Sequence, residues 1–465
     1  MATLDLGSFA SKAAVFRRIA SRKSAFWLDN SLDKQPSFMG FDACSQLRVA
    51  ADGRVHLLDG GVESELRLGP LEAIEAFVGE GARRAGAALS WLPHTVGFLS
   101  YDLAPWIEHR MRVPCDGEDA APLVHLARYD AVTAIEPRAA GDGGFNLTIH
   151  ATSRAAAQRA ASAFAAPLAD ADATPPRSVP AGVLLEAPEY ADYARGVQRA
   201  LAYIRAGDVY QVNLAERLQA RSAAPPAEVY LGLRREQPVP HGVYLDCGDL
   251  VLLCNSPERF LRVHGARIET EPIKGTRRRA SDAREDAALA RELARDAKER
   301  AEHVMIVDLE RSDLGRICAP GSVRVSSLMR VESFATLHHL VSTVEGRLRD
   351  DVDLAAILRA TFPGGSITGA PKIRASEIIA ELEPRARGPY TGAVFWFSGP
   401  RDFDSVIAIR TMVAREDRYV YHAGGGIVAD SDPRREFAEC WLKARPFLAA
   451  TLGPEAAAQA VESAA

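Results

Sequence analysis

Two periodicities divide the chain. From Ala25 to His150, apolar and polar residues alternate in short runs broken by Gly, Asp and Pro, the period-two pattern of strands with one face in a core. Ser45–Val49 and Arg54–Leu58 flank Ala-Ala-Asp-Gly and predict a hairpin. Leu71–Glu80 changes to helical spacing, and His94–Leu103 predicts a buried strand with Asp102 at its polar end. Between residues 139 and 182, Ala, Gly, Asp and Pro dominate, which predicts a linker over 171–186. Beyond it, Tyr193, Val197, Leu201 and Ile204 share one face of a helix that Gly207 is suited to end. A strand follows over Asp208–Leu218. Asp282 and Glu285 have the spacing of a capping box, opening one long helix to Gly315 with Leu289, Leu293 and Ala297 inward. After Gly453 the Ala-rich end has no core pattern, so 451–465 is expected to fray as a disordered tail. The expected regions are therefore 1–170, the linker, 187–450 and the tail. Long strands with helices gathered outside them predict an α+β fold.

A chain of 465 residues is long for one ordinary core, so it folds as two regions or as one large layered domain. With 47% apolar and 25% charged residues, it has the balance of a soluble globular protein. A net charge of −5 gives no basis for a nucleic-acid surface. No apolar run is long enough to span a bilayer, and there is no signal-peptide core. The six cysteines, at 44, 115, 247, 254, 318 and 440, form no CxxC pair or zinc spacing. A reduced, cytoplasmic setting is expected.

Candidate chemistry starts at Lys274 in Glu271-Pro-Ile-Lys-Gly-Thr-Arg-Arg-Arg279. It stands where an alternating run ends, beside Gly275, with three arginines after it. A lysine in cationic, partly desolvated surroundings can serve as a nucleophile. By residue type alone, a salt-bridged lysine in a basic turn is the plainer reading. Glu258, in Ser256-Pro-Glu-Arg-Phe-Leu261, is either a solvated carboxylate or, if buried, an acid held protonated near neutral pH. The run Gly364-Gly-Ser-Ile-Thr-Gly369 has phosphate-loop spacing, but Ala370-Pro371 stands where Lys-Ser/Thr is required, so that motif fails.

Several of these segments, in order, resemble the chorismate-utilising enzymes. The resemblance is dense from Tyr190 to Leu448 and thin before it. Pro-Ile-Lys-Gly-Thr is similar to the signature of the family branch that forms aminodeoxychorismate (component I), whereas anthranilate-forming members carry alanine at the position of Lys274. Ser256–Leu261 resembles the general-acid segment, which makes Glu258 the acid. Glu302-His303 and Asp432–Lys443 are similar to the segments whose glutamates hold magnesium, here Glu302 and Glu439, with Glu436 one turn earlier. Thr361–Lys372 matches a loop beside the substrate. The resemblance further implies substrate contacts from Gly275, Thr276, His339, Tyr390, Arg410, Lys443 and a glycine turn at Gly424, Gly425 and Gly426. Gln211 occupies the position where members that add water to chorismate carry a lysine base. A neutral amide cannot activate water, so ammonia is the expected nucleophile.

The fold so implied has two large packed antiparallel sheets, helices outside, and the active site in a cleft between layers. Both sequence regions would share that core. The implied reaction aminates chorismate to 4-amino-4-deoxychorismate through a covalent Lys274 intermediate, with Mg²⁺ as cofactor. No glutaminase nucleophile segment is recognisable, so a separate glutamine amidotransferase subunit (component II) is the expected ammonia source. Anthranilate formation is the nearest alternative. A non-catalytic homologue that binds chorismate or an amidotransferase is the alternative from another class. Ala25–Ser31 and Pro240-His-Gly242 stand where relatives bind tryptophan, but both depart from the family's residues.

Overall fold

The structure, a computed structural model, describes residues 2–464 apart from 10, 34, 87–88, 90, 115–119, 139–143, 165–181 and 335–336. Cys115 and most of the expected linker thus lie outside the described residues. Two twelve-stranded sheets dominate. The first runs from edge to edge as Ala2–Phe9, Phe145–Ala151, Ala131–Pro137, Ser37–Gly40, Phe26–Asp29, His241–Asp246, Val251–Ser256, Thr411–Arg415, Arg418–Ile427, Gln211–Arg221 and Val183–Glu186, with Gly369–Ala370 beside Gln211. The second runs as Ile273–Arg278, Leu337–Arg347, Arg267–Glu271, Arg259–His264, Asp402–Ile407, Ala393–Gly399, Thr95–Leu99, Val124–Arg128, Ser45–Val49, Val55–Asp59 and Val62–Leu66, with Arg324–Ser333 also on Leu337–Arg347. N-terminal strands lie inside both orders. Phe26–Asp29 pairs antiparallel with His241–Asp246, and Thr95–Leu99 with Ala393–Gly399.

Alternation explains the layers. Phe26 and Leu28 enter a core with Val243, Leu245 and Leu252 of their own sheet and Val96, Phe98, Val394 and Val406 of the other. Trp27, one residue out of phase, faces the opposite side against Phe16 and Tyr230. A period of two permits this: one strand face meets the second sheet, the other meets helices. Burying side chains of this size contributes about 1.5–3 kcal/mol each.

Four expectations change. The linker's last residues are a strand, Val183–Glu186, paired with Gln211–Arg221. The expected tail is helical: Pro433–Leu452 runs through its start, and Pro454–Ala464 packs back with Ala457 buried. The long helix from Asp282 is two helices, Ala283–Arg295 and Ala297–Gly315. Asp296 leaves helical geometry (ψ 114) and its carboxylate accepts from the backbone N–H groups of Lys298 and Glu299, so it caps the second helix. Leu293 is buried as expected, but Ala297 is exposed. Asp102 lies past the strand end at Leu99, in a 3-10 turn. There its carboxylate accepts from the backbone N–H of Gly388 at 2.8 Å.

Two crossovers between the sheets adjoin one another. Val251–Ser256 of the first sheet leads through Pro257-Glu258 into Arg259–His264 of the second. Asp402–Ile407 of the second leads through Ala408–Arg410 into Thr411–Arg415 of the first. The N–H of Ile407 donates to the carbonyl of Glu258 at 3.1 Å, and that of Asn255 to the carbonyl of Arg410 at 3.0 Å.

Beside them, Arg387 is 1% exposed. Its guanidinium donates to both carboxylate oxygens of Glu383 (2.8 and 2.6 Å), to the carbonyls of Asn213 (2.9 Å) and Ile367 (3.2 Å), and to Thr391 Oγ1 (3.1 Å). Breaking one partner of such a pair strands the other charge in the interior. Arg387→Met should destabilise the protein by about 3–5 kcal/mol, read as a lower urea midpoint. A loss below about 1 kcal/mol would show the pair to be incidental.

Candidate active site

Lys274 lies on Ile273–Arg278, whose register against Leu337–Arg347 slips between Lys274 and Thr276. Gly275 is the extra residue, at φ +69, and a Cβ there would stand 2.9 Å from Leu293 Cδ1. Such a bulge redirects the neighbouring side chain. Lys274 Nζ donates to the carbonyl of Ser366 at 3.4 Å. The charged groups that feel it are the carboxylates of Glu258, Glu302 and Glu439, together with the imidazole of His303.

Two of the three arginines expected to surround Lys274 are engaged elsewhere. Arg277 pairs with Glu292, Asp296 and Glu299, and Arg279 with Asp286. The capped helix pair draws these arginines away, leaving Lys274 facing carboxylates.

Glu258 is 5% exposed at the first crossover. Its Oε1 accepts from Ser366 Oγ at 2.8 Å. Burial pushes its carboxyl up to about 7, against the opposing pull of Ser366, Lys274 and the N–H of Ile273. Burial thus favours the protonated form that an acid needs. Lys274 and Glu258 meet at one residue, Ser366, in the turn Gly365–Ile367 of the glycine-rich loop.

His339 pairs with Thr276 across the ladder. Its Nδ1 lies 3.2 Å from the carbonyl of Gly275, which can only accept, so Nδ1 carries the hydrogen. Burial holds His339 neutral, down at about 4, with Arg410 adding to the effect. Thr276 Oγ1 is also 3.2 Å from that nitrogen, although Thr276 itself is exposed.

Arg410 has φ +52, a left-handed conformation that side chains rarely adopt. Its charge reaches Glu439, His339 and Tyr421. Tyr390 is 6% exposed and stacks on His422 with ring centroids 5.3 Å apart. Burial pushes its hydroxyl up to about 12. Tyr421 feels both Arg410 and Tyr390, which joins them to the same neighbourhood.

The glycine turn is not a turn. Gly424, Gly425 and Gly426 lie in the strand Arg418–Ile427, opposite Ala215, Leu214 and Asn213. Their small size is what the site uses. A Cβ on Gly426 would be 2.7 Å from Gln211 Nε2, and one on Gly424 would run into the carbonyl oxygen of Leu214. Lys443 Nζ donates to the carbonyl of Gly424 at 2.8 Å and pairs with Glu439 Oε1 at 2.7 Å. Gln211 is fully buried, and neither atom of its side-chain amide has a hydrogen-bond partner among the described residues.

Glu302 and Glu439 come from separate helices, Ala297–Gly315 and Pro433–Leu452. Glu436, on the second helix, connects them electrostatically. Burial first, and then repulsion from its carboxylate neighbours, pushes Glu436 up, and Glu302 likewise. Lys443 holds Glu439 down. Among the described residues no three carboxylate, imidazole or thiolate groups make a ready cage for a metal. Facing carboxylates that repel one another do fit a hard cation that keeps several waters.

The arrangement thus brings together Lys274, Glu258, Glu302, Glu439, His339, Arg410, Tyr390 and Lys443, with Gln211 and the glycines on the neighbouring strands. Selection by sequence missed Ser366, although it lies in the quoted loop, and set Glu436 aside although it stands one turn before Glu439. The unlike residues Asn30, Pro240, His241 and Gly242 line a separate cavity of about 580 Å³ with Leu28 and Asp29. No helix among the described residues is long and apolar enough to cross a membrane.

Several curated proteins and solved structures are similar to this chain. An anthranilate synthase component 1 of Thermus thermophilus is 48% identical over 264 residues, covering 57% of each chain. An aminodeoxychorismate synthase component 1 of Bacillus subtilis is 46% identical over 252 residues, 54% of each. The match thus spans just over half the length of these curated relatives. An anthranilate synthase component 1 of Haloarcula marismortui is 40% identical over 82% of this chain and 80% of its own. Among solved structures, anthranilate synthase component I from Streptococcus pneumoniae superposes with a TM-score of 0.75 at 30% identity, covering 89% of this chain and 92% of that one. The menaquinone-specific isochorismate synthase of Escherichia coli, at 17% identity and a TM-score of 0.70 over 97% of this chain and 94% of its own, shares the fold. The model of the chorismate binding enzymes matches residues 23–449, and the chain belongs to that family.

Proposed function

We propose that the protein aminates chorismate at C4, giving 4-amino-4-deoxychorismate, with Lys274 as nucleophile and Glu258 as acid. The observation that carries this is their meeting at Ser366: Lys274 Nζ is 3.4 Å from its carbonyl and Glu258 Oε1 is 2.8 Å from its hydroxyl. In the first step the Lys274 amine bonds to C2 of the ring. The ring electrons shift, the C4–O bond breaks, and Glu258 delivers its proton so that water leaves instead of hydroxide. In the second step ammonia bonds to C4, the C2–Nζ bond breaks, and the extra proton on the new amine returns to Glu258. Acid and amine are thereby restored.

Around this pair, Tyr390 and Arg410 would hold a substrate carboxylate. Neutral His339 would present its free Nε2, and Gly424–Gly426 would allow the ring to approach the strand. Gln211 supplies an amide donor and acceptor without basicity, which suits ammonia and not water as the second nucleophile. Mg²⁺ held by Glu302 and Glu439 would neutralise and orient the ring carboxylate of chorismate. The ammonia would come from a glutamine amidotransferase subunit, in keeping with the component 1 names of the relatives. Anthranilate formation is the second reading, favoured by the 48% identity to the Thermus thermophilus protein. It needs no lysine at position 274.

Incubation with chorismate, Mg²⁺ and ammonium ions, followed by mass spectrometry of the product, separates the two. Lys274→Ala should lower aminodeoxychorismate formation at least about a thousandfold. Without ammonia, the parent should carry a chorismate-derived adduct on the Lys274 peptide. Parental rates in the variant would rule out the covalent route.

Glu302→Gln and Glu439→Gln should each reduce turnover more than about a hundredfold at limiting Mg²⁺ while leaving the thermal unfolding of the apoprotein unchanged. Near-parental activity in both would remove the metal assignment.

Because Glu258 must carry its proton to act, kcat/KM should fall as pH rises through about 7, the value its burial sets, at about tenfold per unit beyond it. A profile flat to pH 9 would show that another group is the acid.

A further inference from the structure

The two reacting groups are held by a residue that motif matching passes over. Ser366 is 6% exposed in the turn Gly365–Ile367. The turn itself has little room to move. A Cβ on Gly364 would stand 2.7 Å from Ile407 Cδ1, and one on Gly365 only 2.4 Å from Leu309 Cδ2. Thr368 Oγ1 donates to the carbonyl of Gly364 at 2.9 Å, and Arg387 to that of Ile367 at 3.2 Å. Ser366 therefore sits on a base fixed from both sides.

Its hydroxyl donates to Oε1 of Glu258, and a protonated carboxyl has only one O–H. If Oε1 is the accepting oxygen, the acidic proton resides on Oε2. That assigns the proton to one oxygen, with one direction of delivery. The same residue's carbonyl receives Lys274 Nζ, so the base that orients the acid also positions the amine. Efficient proton transfer depends on such placement, and a displacement of about 1 Å can cost about a hundredfold in rate.

We propose that Ser366 is a positioning residue for proton delivery: its hydroxyl directs the Glu258 proton to Oε2, and its carbonyl keeps Lys274 in reach of the same centre. This rests on the proposed roles of Glu258 and Lys274. The charged groups facing Glu258 are Lys274 from Ile273–Arg278 and Glu310 from Ala297–Gly315. Glu310 is tied to Thr270 Oγ1 at 2.9 Å. Neither partner is altered by a change at Ser366.

The test compares Ser366→Ala with Ser366→Thr, which keeps a hydroxyl, in the full chain. Ser366→Ala should lower kcat about tenfold to a hundredfold with KM changed little. It should also move the alkaline limb of the pH profile upward, because the ionised carboxylate loses a donor. Ser366→Thr should restore both toward the parent. Carbon-13 NMR of the Glu258 carboxyl, assigned with Glu258→Gln and titrated without chorismate, reads the same coupling apart from turnover. An upward titration shift in a folded Ser366→Ala protein supports the proposal. An unmoved titration overturns it, as does an unchanged kcat and limb in a protein that turns over chorismate. If the parent does not consume chorismate at all, the reaction assignment fails, and the NMR titration still decides whether Ser366 governs the acid.

Discussion

The buried pair Arg387–Glu383 is the constraint on which the site's geometry depends. Arg387 holds the carbonyl of Asn213 on one side and that of Ile367 on the other. Glu383 in turn accepts the N–H of Ala215 at 2.9 Å. One ion pair thus fastens the strand that presents Gln211 to the loop that presents Ser366. Tyr101 lies under the guanidinium, 4.6 Å from ring centroid to charge, and Asp102 holds the next residue, Gly388, by its N–H. A buried charge pair with every donor used is costly to assemble, but it admits one arrangement of its partners.

That interaction explains why the two halves of the sequence cannot be read as independent units. Tyr101 and Asp102 come from the N-terminal region, yet they brace a loop nearly three hundred residues later, as the Gly388 hydrogen bond spans 286 positions. The sheet orders say the same, since each sheet joins a block of N-terminal strands to a block of C-terminal strands in one continuous ladder. Strand existence was legible from alternation at Ser45–Val49 and Thr95–Leu99. Their neighbours were not, because pairing across such separations leaves no local mark on either strand.

The site was legible to a different degree. Lys274, Glu258, Glu302 and Glu439 were found through segments that resemble a family, and the fold brings them into one neighbourhood. Residue type alone did not single them out, since any of the four could have been a solvated charge. The arginines after Lys274 misled because their role is decided by Asp296. A break in the expected helix there brings Asp296, Glu292 and Glu299 to Arg277. A single aspartate that caps a second helix has the same composition as one inside a continuous helix, so sequence spacing could not separate them. The glycine triplet misled in a similar way. The resemblance implied a turn, but the three glycines lie in a strand, where a Cβ on Gly426 would meet Gln211 and one on Gly424 would run into the carbonyl oxygen of Leu214.

Where the site lies follows from the two sheets. Within a ladder a side chain meets only its own layer and the one stacked on it. At a crossover the chain leaves one ladder before joining the next, and its side chains can reach groups from both sheets and from the helices outside. Glu258 and Arg410 occupy two such crossovers, and these bond to each other through Ile407 and Asn255. The left-handed conformation of Arg410, at φ +52, is the local cost of the second bend, and Thr391, at φ +58, is strained beside it, about 1–3 kcal/mol each. Thr391 N–H to Ala408 and Ala408 N–H to Gly392, each 2.9 Å, offset part of it by closing the backbone where the ladders stop. Strain and chemistry therefore share a location for one reason. The seam between the sheets is where side chains from both can converge, and it is also where regular pairing must be given up.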